Sequence, residues 1–331
     1  MIHSNSEGDI YIEEMPLLLV HLREEEKGAD ARLSEVLSYA LDGYAYETAT
    51  EISAFEDYVN RWRRLEKTQN RKNPVQGRIL FAVPLGTSGI NLELYRLIRF
   101  LREHPDFLNG FVGGLLVDSE NDLYSKSAAK DLVFAANCAG CAFVGRPLVE
   151  GTRTLSNYTI VSNNLGTDLM GAYRESAAGL VKEVLGTDCV RKKCPKVLVL
   201  HASSHKTSNT YAIWNRVKEQ LPEMEIREIG LRNGTLSDCA GCPYKMCLHF
   251  GEQGSCFYGG VMVEDVYPAV READAIVMLC PNYNDALSAN LTAFINRLTS
   301  LFRTTRFYDK ALFAVVVSGY SGSDIVAEQL I

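Results

Sequence analysis

The chain has 331 residues and a formal net charge of −7, with 47% hydrophobic and 23% charged residues. The length predicts about two domains, and the composition excludes a disordered, collagen-like or disulfide-rich chain. No apolar run approaches the roughly 20 residues of a membrane-spanning helix. The polar N-terminus lacks the apolar segment of a signal peptide, and the negative charge disfavours nucleic acid as a partner. We therefore expect neither a membrane nor a nucleic acid as the main partner.

Nine cysteines occur in this chain. Without a secretory signal, cysteines in a chain of this length are more typical of free thiols or metal ligands than of disulfides. We therefore expect a cytoplasmic protein.

Residues 1–15 are polar and acidic and are interpreted as a mobile tail. Apolar runs then alternate with amphipathic stretches. The runs predict strands at 17–22, 46–52, 78–83, 111–117 and 141–145, and the stretches predict helices at 32–41, 54–65, 92–102, 127–136 and 169–185. Because strand–helix alternation is typical of a parallel sheet with helices on both faces, we place a first α/β domain at 16–190. The polar stretch at 145–156 is interpreted as irregular, with no assigned role.

A basic segment with a proline, residues 191–195, is interpreted as a linker. The same alternation then restarts in a second domain at 196–331. Strands are predicted at 196–201, 225–231, 275–281 and 311–318, and helices at 210–221 and 290–302. Segments 83–98 and 280–295 align without a gap as strand, proline-led loop and helix. The sequence thus predicts two tandem copies of one α/β fold.

A loop rich in hydroxyl side chains joins the first strand of the second domain to its helix. It contains Ser203, His205, Ser208, Asn209 and Thr210. Such a loop presents hydroxyl donors, free backbone N–H groups and the positive end of a helix dipole, which together suit a dianion. It lacks the glycines of a P-loop or a dinucleotide turn, which favours the phosphate of a mononucleotide. The alternative is a simple helix cap, which Ser208 or Asn209 could provide.

Two further loops follow strands of the same predicted sheet. The first contains Pro281, Asn282, Tyr283 and Asn284, and the second contains Ser318, Gly319, Tyr320 and Gly322. Because ligands of open parallel sheets bind at the carboxyl ends of the strands, these loops are predicted to hold a flat ring. The alternative is ordinary turn chemistry, since Asn, Gly and Ser are common in turns.

The pattern Ser203-x-His205-x-x-Ser208-Asn209-Thr210 resembles the phosphate loop of the NAD(P)H-dependent FMN reductases, which are flavodoxin-like proteins. The loops at 281 and 318 are similar to that family's ring-contacting loops. The resemblance covers about residues 196–331. It implies a flavodoxin-like fold, noncovalently bound FMN and NAD(P)H as co-substrate. It also implies flavin chemistry without a catalytic side chain.

The sequence departs from this family at several points. Ala202 replaces the first glycine of the phosphate loop, and His205 replaces an arginine, which predicts weaker and pH-dependent phosphate binding. The family also continues through a fifth strand and a final helix. The fully apolar run at 311–318 is typical of a central strand. We therefore expect either that the natural chain continues by about 40–50 residues, or that another segment covers this edge.

The first domain keeps the fold pattern but not the loops. Three carboxylates, Glu24, Glu25 and Glu26, follow its first strand and would repel a phosphate. We therefore interpret residues 16–190 as a degenerate flavodoxin-like domain without FMN. Because FMN in this family often lies where two subunits meet, this domain is a candidate replacement for a second subunit, and a homo-oligomer is an alternative.

Four cysteines are close together in the sequence: Cys239, Cys242, Cys247 and Cys256. They are similar to the cysteine segment of iron–sulfur flavoproteins, although the spacing differs from the compact C-x2-C-x2-C of that family. Three hypotheses stay open. The four thiolates could bind a [4Fe–4S] cluster, they could bind zinc, or they could be unligated.

Three functions follow from these features. The first is an FMN-dependent oxidoreductase that moves hydride from NAD(P)H to a small-molecule or protein acceptor. The second is an iron–sulfur flavoprotein electron carrier without its own nicotinamide turnover. The third is a regulatory or scaffold protein with an inactive flavin site.

Overall fold

The computed structural model describes residues 15–23, 27–68, 75–189, 192–203 and 208–331. The chain divides into two compact units, Met1–Cys189 and Val190–Ile331. Each unit contains an all-parallel sheet whose strands alternate with helices along the chain. The predicted α/β class, with two tandem flavodoxin-like sheets, is confirmed.

The sheet of the first unit has the strand order β2-β1-β3-β4-β5. Its strands are β1 (Leu17–His21), β2 (Tyr46–Ala49), β3 (Gly77–Leu85), β4 (Phe111–Ser119) and β5 (Ala142–Gly151). Its helices are α1 (Lys27–Ala40), α2 (Ile52–Thr68), α3 (Leu92–Glu103), α4 (Ser125–Cys138), α5 (Thr159–Leu165) and α6 (Leu169–Gly186). This is the strand order of a flavodoxin-like fold.

The central strand β3 shows why the sheet is covered on both faces. Successive side chains of a strand point to opposite faces. Ile79 and Phe81 pack in one apolar cluster with side chains of α2, α3 and α4. Leu80 and Ala82 pack in a second cluster with side chains of α1 and α6. A continuous apolar run is therefore the expected sequence of such a strand.

The second unit has a four-stranded sheet with the order β7-β6-β8-β9. Its strands are β6 (Lys196–His201), β7 (Glu225–Gly230), β8 (Ala275–Pro281) and β9 (Ala311–Val317). Its helices are α7 (Asn209–Glu219), α8 (Tyr244–Glu252), α9 (Tyr267–Glu272), α10 (Ala289–Phe302) and α11 (Ser323–Glu328). A π-helical turn, Met262–Val266, precedes α9.

Three predicted features differ from the structure. The stretch at 145–156, interpreted as irregular, continues β5 to Gly151. A bulge interrupts this strand: Gly113 pairs with Phe143 and Leu115 with Leu148, so two steps along β4 correspond to five along β5. Helices α5, α8 and α9 were not predicted, because at seven, nine and six residues they are too short to show a helical period. The apolar run of β9 lies at an edge of the described sheet, and Leu312 and Phe313 are 53% and 58% exposed.

Among the described residues, no helix is long and apolar enough to cross a lipid bilayer.

A buried ion pair occupies the carboxyl edge of the first sheet. Asp118, near the end of β4, is fully buried. Arg32 on α1 donates to both of its carboxylate oxygens at 2.8–3.1 Å and to the Ser119 carbonyl at 3.0 Å. Burial raises the pKa of Asp118, and the Arg32 guanidinium opposes this rise. The edge where this fold class binds ligands is therefore filled by the protein's own side chains at β4.

Replacing Arg32 with methionine should lower the free energy of unfolding at pH 7 by about 3–5 kcal/mol, because Asp118 is left buried without its cation. The pKa of Asp118 in the folded protein should then rise further above its value in the unfolded chain. Stability therefore falls as pH rises between the two values, so the defect should shrink as pH is lowered from the raised pKa toward the value in the unfolded chain. Urea unfolding at several pH values measures this.

The matched control combines Arg32→Met with Asp118→Asn. This pair of substitutions removes the titrating group, so its defect should not depend on pH in the acidic range. A defect in the single Arg32→Met variant that is equal at every pH would contradict the assignment.

Candidate functional site

Parallel pairing brings three loops of the second unit to one edge of its sheet. Strands β6, β8 and β9 are neighbours in the order given above. His201, the last residue of β6, pairs with Leu279, and Pro281, the last residue of β8, pairs with Val317, the last residue of β9. The loops that follow these strands therefore begin at similar heights on one sheet edge, as the sequence predicts.

The loop after β6 carries an unpartnered hydroxyl. The Oγ of Ser203 is buried and has no hydrogen-bond partner among the described residues. The carbonyl oxygen of Ser203 lies 3.2 Å from Nδ1 of the buried His201, which helps to position the exit from β6. Because buried polar groups normally have partners, the Ser203 hydroxyl is suited to bind a ligand atom.

The N-terminus of α7 completes this loop. Ser208 caps the helix, since its Oγ accepts a hydrogen bond from the backbone N–H of Tyr211 at 3.2 Å. The capping role considered as an alternative is therefore present, but the hydroxyl keeps its own proton as a donor. Thr210 is buried and Asn209 is exposed. The predicted ligand His205 lies outside the described residues.

The side-chain amide of Asn282 links the loops after β8 and β9. Its Nδ2 lies 3.0 Å from Oδ1 of Asp285, 3.1 Å from Oγ of Ser318 and 3.3 Å from the carbonyl of Ser321. Its Oδ1 accepts from the backbone N–H of Asp285 at 2.8 Å. The two predicted ring-binding loops thus form one connected structure.

A tight turn shapes the first of these loops. Asn284 and Asp285 have φ angles of 56° and 55°, and Tyr283 and Ala286 form an antiparallel bridge across them. Two successive residues with positive φ are typical of a type I′ turn, which Asn and Asp tolerate better than other side chains. The turn directs Tyr283 outward, where it is 61% exposed.

The second loop is also open to solvent. Tyr320 is 99% exposed, and no described atom lies within 4 Å of a Cβ added at Gly319. Ser318 supports the loop from below, since its Oγ donates to the Ser321 carbonyl at 2.7 Å. Two exposed aromatic rings and a glycine backbone therefore border this edge.

Two supporting residues were not predicted. Gln329 donates from Nε2 to the carbonyl of Asp285 at 3.0 Å and accepts from the backbone N–H of Leu287 at 2.9 Å. Asn290, at the start of α10, donates to the carbonyl of Leu231 at 2.6 Å. Both contacts join residues more than 40 positions apart, so no local sequence pattern could have revealed them.

The four clustered cysteines line a single cavity of about 190 Å³. Its wall contains Cys239, Cys242, Cys247, Cys256, Met246, Phe250, Phe257, Tyr258 and four residues of α10, Asn296, Arg297, Thr299 and Ser300, with Gly241 and Arg303. Cys247 lies on α8, and the other three cysteines lie in the flanking loops. None of the four is in a disulfide. The fold therefore brings together thiols that are up to 17 residues apart.

The four cysteines also affect the pKa values of two nearby tyrosines. Burial raises the pKa of Tyr267, and the nearby sulfurs of Cys256, Cys247 and Cys239 raise it further. Burial and the sulfur of Cys242 also raise the pKa of Tyr258. Nevertheless, no group of three or more Cys, His, Asp or Glu side chains in the described ranges is arranged to hold a metal ion. The four predicted ligands thus share a cavity without forming a preassembled metal site.

Residues 195–331 match the family model of the NADPH-dependent FMN reductases. No curated protein matches the chain. A similar solved structure is described as a GCN5-related glucosamine N-acetyltransferase region in a fungal multi-domain GH3 β-N-acetylglucosaminidase. It is 11% identical, with 92% of this chain and 40% of that chain covered and a TM-score of 0.18. The chain thus spans two-fifths of that protein's length, and a score this low carries no argument.

Gly322 is required where the two linked loops meet. Its φ is +87°, and an added Cβ would lie 1.9 Å from Oδ1 of Asp285. Gly322→Ala should therefore lower the free energy of unfolding by at least about 1–2 kcal/mol, the cost of a left-handed alanine alone. Urea unfolding measures the change.

Gly319→Ala is the matched control in the same loop. An added Cβ has open space there, and the backbone is not left-handed. Its free energy of unfolding should stay within about 0.5 kcal/mol of the parent protein or increase slightly. Equal losses in the two variants would show that the close approach at Gly322 does not hold the loops together.

Proposed function

We propose that the second unit binds FMN and uses it to oxidise NAD(P)H, with electrons leaving to a small-molecule or protein acceptor. The observation that carries this proposal is the buried Ser203 hydroxyl, which has no partner among the described residues and lies at the sheet edge where two linked loops begin. The match of residues 195–331 to the NADPH-dependent FMN reductase family supports it.

The phosphate of FMN would bind at the N-terminus of α7. Ser203 would donate its free hydroxyl, and Ser208 would donate the proton that capping leaves available. The exposed Asn209 and the N–H groups of the first helical turn add donors, and the helix dipole favours the negative charge. We also propose His205 and Thr210 as residues that bind the phosphate.

The flavin ring would lie against the loops after β8 and β9. The Asn282 amide holds these loops together, and Tyr283 and Tyr320 present their rings to solvent beside them. Pro281, Asn284, Ser318, Gly319 and Gly322 supply the backbone of this surface. Bound FMN would supply the hydride-accepting chemistry, so the protein's own side chains would bind and orient it without acting as acid or base.

We propose that the first unit does not bind FMN. At its sheet edge, Arg32 already donates to the Asp118 carboxylate and to the carbonyls of Ser119 and Arg153, so the protein itself uses this cation. The predicted repulsion by Glu24–Glu26 concerns residues outside the described ranges. All nine cysteines are free thiols, which fits the cytoplasmic location that we propose. A homo-oligomer stays part of the proposal.

A second candidate function is electron transfer through an iron–sulfur cluster. The specific observation in its favour is the cavity lined by all four clustered cysteines. A [4Fe–4S] cluster binds one thiolate at each of four irons, so its ligands lie farther apart than those of a single ion. Because the described thiols do not form a group that could hold a metal ion, the carrier function rests on the shared cavity alone.

Anaerobic mixing with NADPH or NADH distinguishes the two functions. The purified chain loaded with FMN should lose its flavin absorbance within the time of turnover when the nicotinamide is added. Reduction by dithionite or ferredoxin, but by neither nicotinamide, would reject the reductase and favour the carrier. Failure to bind added FMN would reject both flavin functions.

Ser203→Ala tests the phosphate site directly. It should weaken FMN binding by about 1.5–3 kcal/mol, the contribution of one hydrogen bond to a charged group. The stability of the FMN-free protein should not fall, because the lost hydroxyl had no partner among the described residues. Fluorescence titration of FMN and urea unfolding measure the two effects.

Ser208→Ala is the comparison, since it also removes the cap of α7. It should lower the stability of the FMN-free protein by about 1 kcal/mol in addition to any effect on FMN. An unchanged FMN affinity in Ser203→Ala would remove Ser203 from the site.

A further inference from the structure

A buried arginine lies in the wall of the cavity that the four cysteines share. Arg297, on α10, lines this cavity and is 3% exposed. Its Nη1 donates to the carbonyl of Ser237 at 3.4 Å and its Nη2 to the carbonyl of Gly259 at 2.9 Å. Its Nε is buried and has no hydrogen-bond partner in the described part of the chain. Because a guanidinium does not deprotonate in proteins, the wall holds a permanent positive charge with an unused donor.

The described residues that line this cavity include a second arginine, Arg303, and no aspartate or glutamate. Among the residues that the structure describes, Arg297 forms no ion pair with a carboxylate. Asp238 is exposed and accepts instead from the side chain of Asn296 at 3.0 Å and from a backbone N–H at 2.6 Å. Buried charges in proteins are normally paired. The charge of the wall therefore favours an anion as the ligand of this cavity.

Aromatic side chains form another part of the wall. The ring centroid of Phe257 lies 5.6 Å from that of Phe250 and 5.2 Å from that of Tyr258, and both pairs meet edge to face. Met246 and the four thiols also line the cavity, and both kinds of side chain pack as soft apolar groups. Aromatic rings attract a further ring in the same edge-to-face or offset geometry. A flat apolar group therefore fits beside the charge of Arg297.

The size of the cavity limits the ligand to one ring. Its volume is about 190 Å³, and a cavity of roughly 150 Å³ holds a benzene molecule. A single ring with a small charged substituent thus fits, whereas a flavin or a nucleotide does not. Arg297 and Ser300 are buried while Phe257 and Tyr258 are exposed, so the cavity is closed at the arginine and open at the aromatic side chains.

We propose that this cavity is a binding site for a small aromatic carboxylate. The carboxylate accepts from the Nε–H of Arg297 and supplies the countercharge that the described residues lack, and the ring packs against Met246, Phe250 and Phe257. A hydrogen bond between two charged groups is stronger than one between neutral groups. The site is separate from the proposed FMN site, needs no metal, and rests on neither function proposed above.

The competing role for Arg297 is that of a loop anchor. Its bonds to Ser237 and Gly259 tie α10 to the segments before and after the clustered cysteines. Loss of an anchor would change the shape of the cavity and weaken charged and neutral ligands alike. Loss of a charge partner would weaken only the anion, so a pair of ligands that differ in charge alone separates the two roles.

The experiment measures binding of benzoate to the full chain by calorimetric titration. The protein is kept reduced and is freed of metal with a chelator. Benzamide has the same shape without the charge, and acetate has the charge without the ring. We expect one benzoate per chain, with benzamide bound about tenfold more weakly for the lost charge. Acetate should also bind about tenfold more weakly, because no ring is buried.

Arg297→Gln should weaken benzoate binding at least about tenfold, the effect of losing a hydrogen bond between charged groups. Benzamide binding should stay within about twofold of the parent value, which also shows that the cavity has kept its shape. Arg297→Lys should bind benzoate more tightly than Arg297→Gln, because lysine keeps the positive charge.

Arg303→Gln is the matched control. Arg303 also lines the cavity, but it is exposed, with its guanidinium 4.7 Å from the ring centroid of Tyr244. Solvent screens an exposed charge, so its replacement should change benzoate affinity by less than about twofold.

The cysteines themselves show where benzoate binds. Cys247 and Cys256 line the cavity, whereas Cys189 and Cys194 are exposed thiols outside its wall. At ten times the Kd, benzoate should slow the alkylation of Cys247 and Cys256 by iodoacetamide about tenfold, in proportion to the unoccupied fraction. The rates at Cys189 and Cys194 should not change. Mass spectrometry of the alkylated peptides measures all four rates in one sample.

Three results would overturn the inference. The first is no benzoate binding up to about 10 mM, a poor affinity for a ligand of this size. The second is equal affinity for benzoate and benzamide in the parent protein, or equal losses of both in Arg297→Gln, which would leave Arg297 as an anchor. The third is benzoate binding without protection of Cys247 and Cys256. If Arg297→Gln does not fold, the ligand pair and the alkylation rates of the parent protein decide the question.

Discussion

Parallel pairing of β6, β8 and β9 places the ends of three strands at one edge of the second sheet. Everything in the candidate flavin site depends on that pairing. The hydroxyl of Ser203 can contribute to a binding site because the two other loops begin at the same edge. The amide of Asn282 can join those loops because β8 and β9 end in register, at Pro281 and Val317. A slip of one residue would point the strand side chains to the opposite faces and separate these groups.

Helix α10 connects the two candidate sites of the second unit. It begins just after the loop that contains Tyr283, and its residue Arg297 lines the cysteine cavity. At a rise of 1.5 Å per residue, roughly 12 Å of helix separates Ala289 from Arg297. The apolar side chains of this helix, including Leu291 and Phe294, are buried in the core of the unit. The helix therefore fixes the spacing between the two sites.

The two units show how one fold class can have different sheet edges. In the second unit, the hydroxyl of Ser203 has no partner among the described residues. In the first unit, Arg32 and Asp118 satisfy each other, and Arg32 also donates to the carbonyls of Ser119 and Arg153. The charged pair of the first unit is thus used within the protein, whereas the Ser203 hydroxyl is available to a ligand. Fold class alone therefore does not assign a function to either unit.

The sequence by itself determined the α/β class, the two sheets, nearly all of the strands and the three loops of the candidate site. Apolar runs and helical periods are local features, and they are readable wherever a strand or helix is buried along a regular face. Tertiary structure decided the rest. The bulged continuation of β5 depends on its pairing with β4, and α8, at nine residues, is too short to show a period. The link from Asn282 to Ser318 and the position of Arg297 in the wall of the cysteine cavity join residues that are distant in sequence. Such contacts depend on strand order, register and helix packing, which no single stretch of sequence contains.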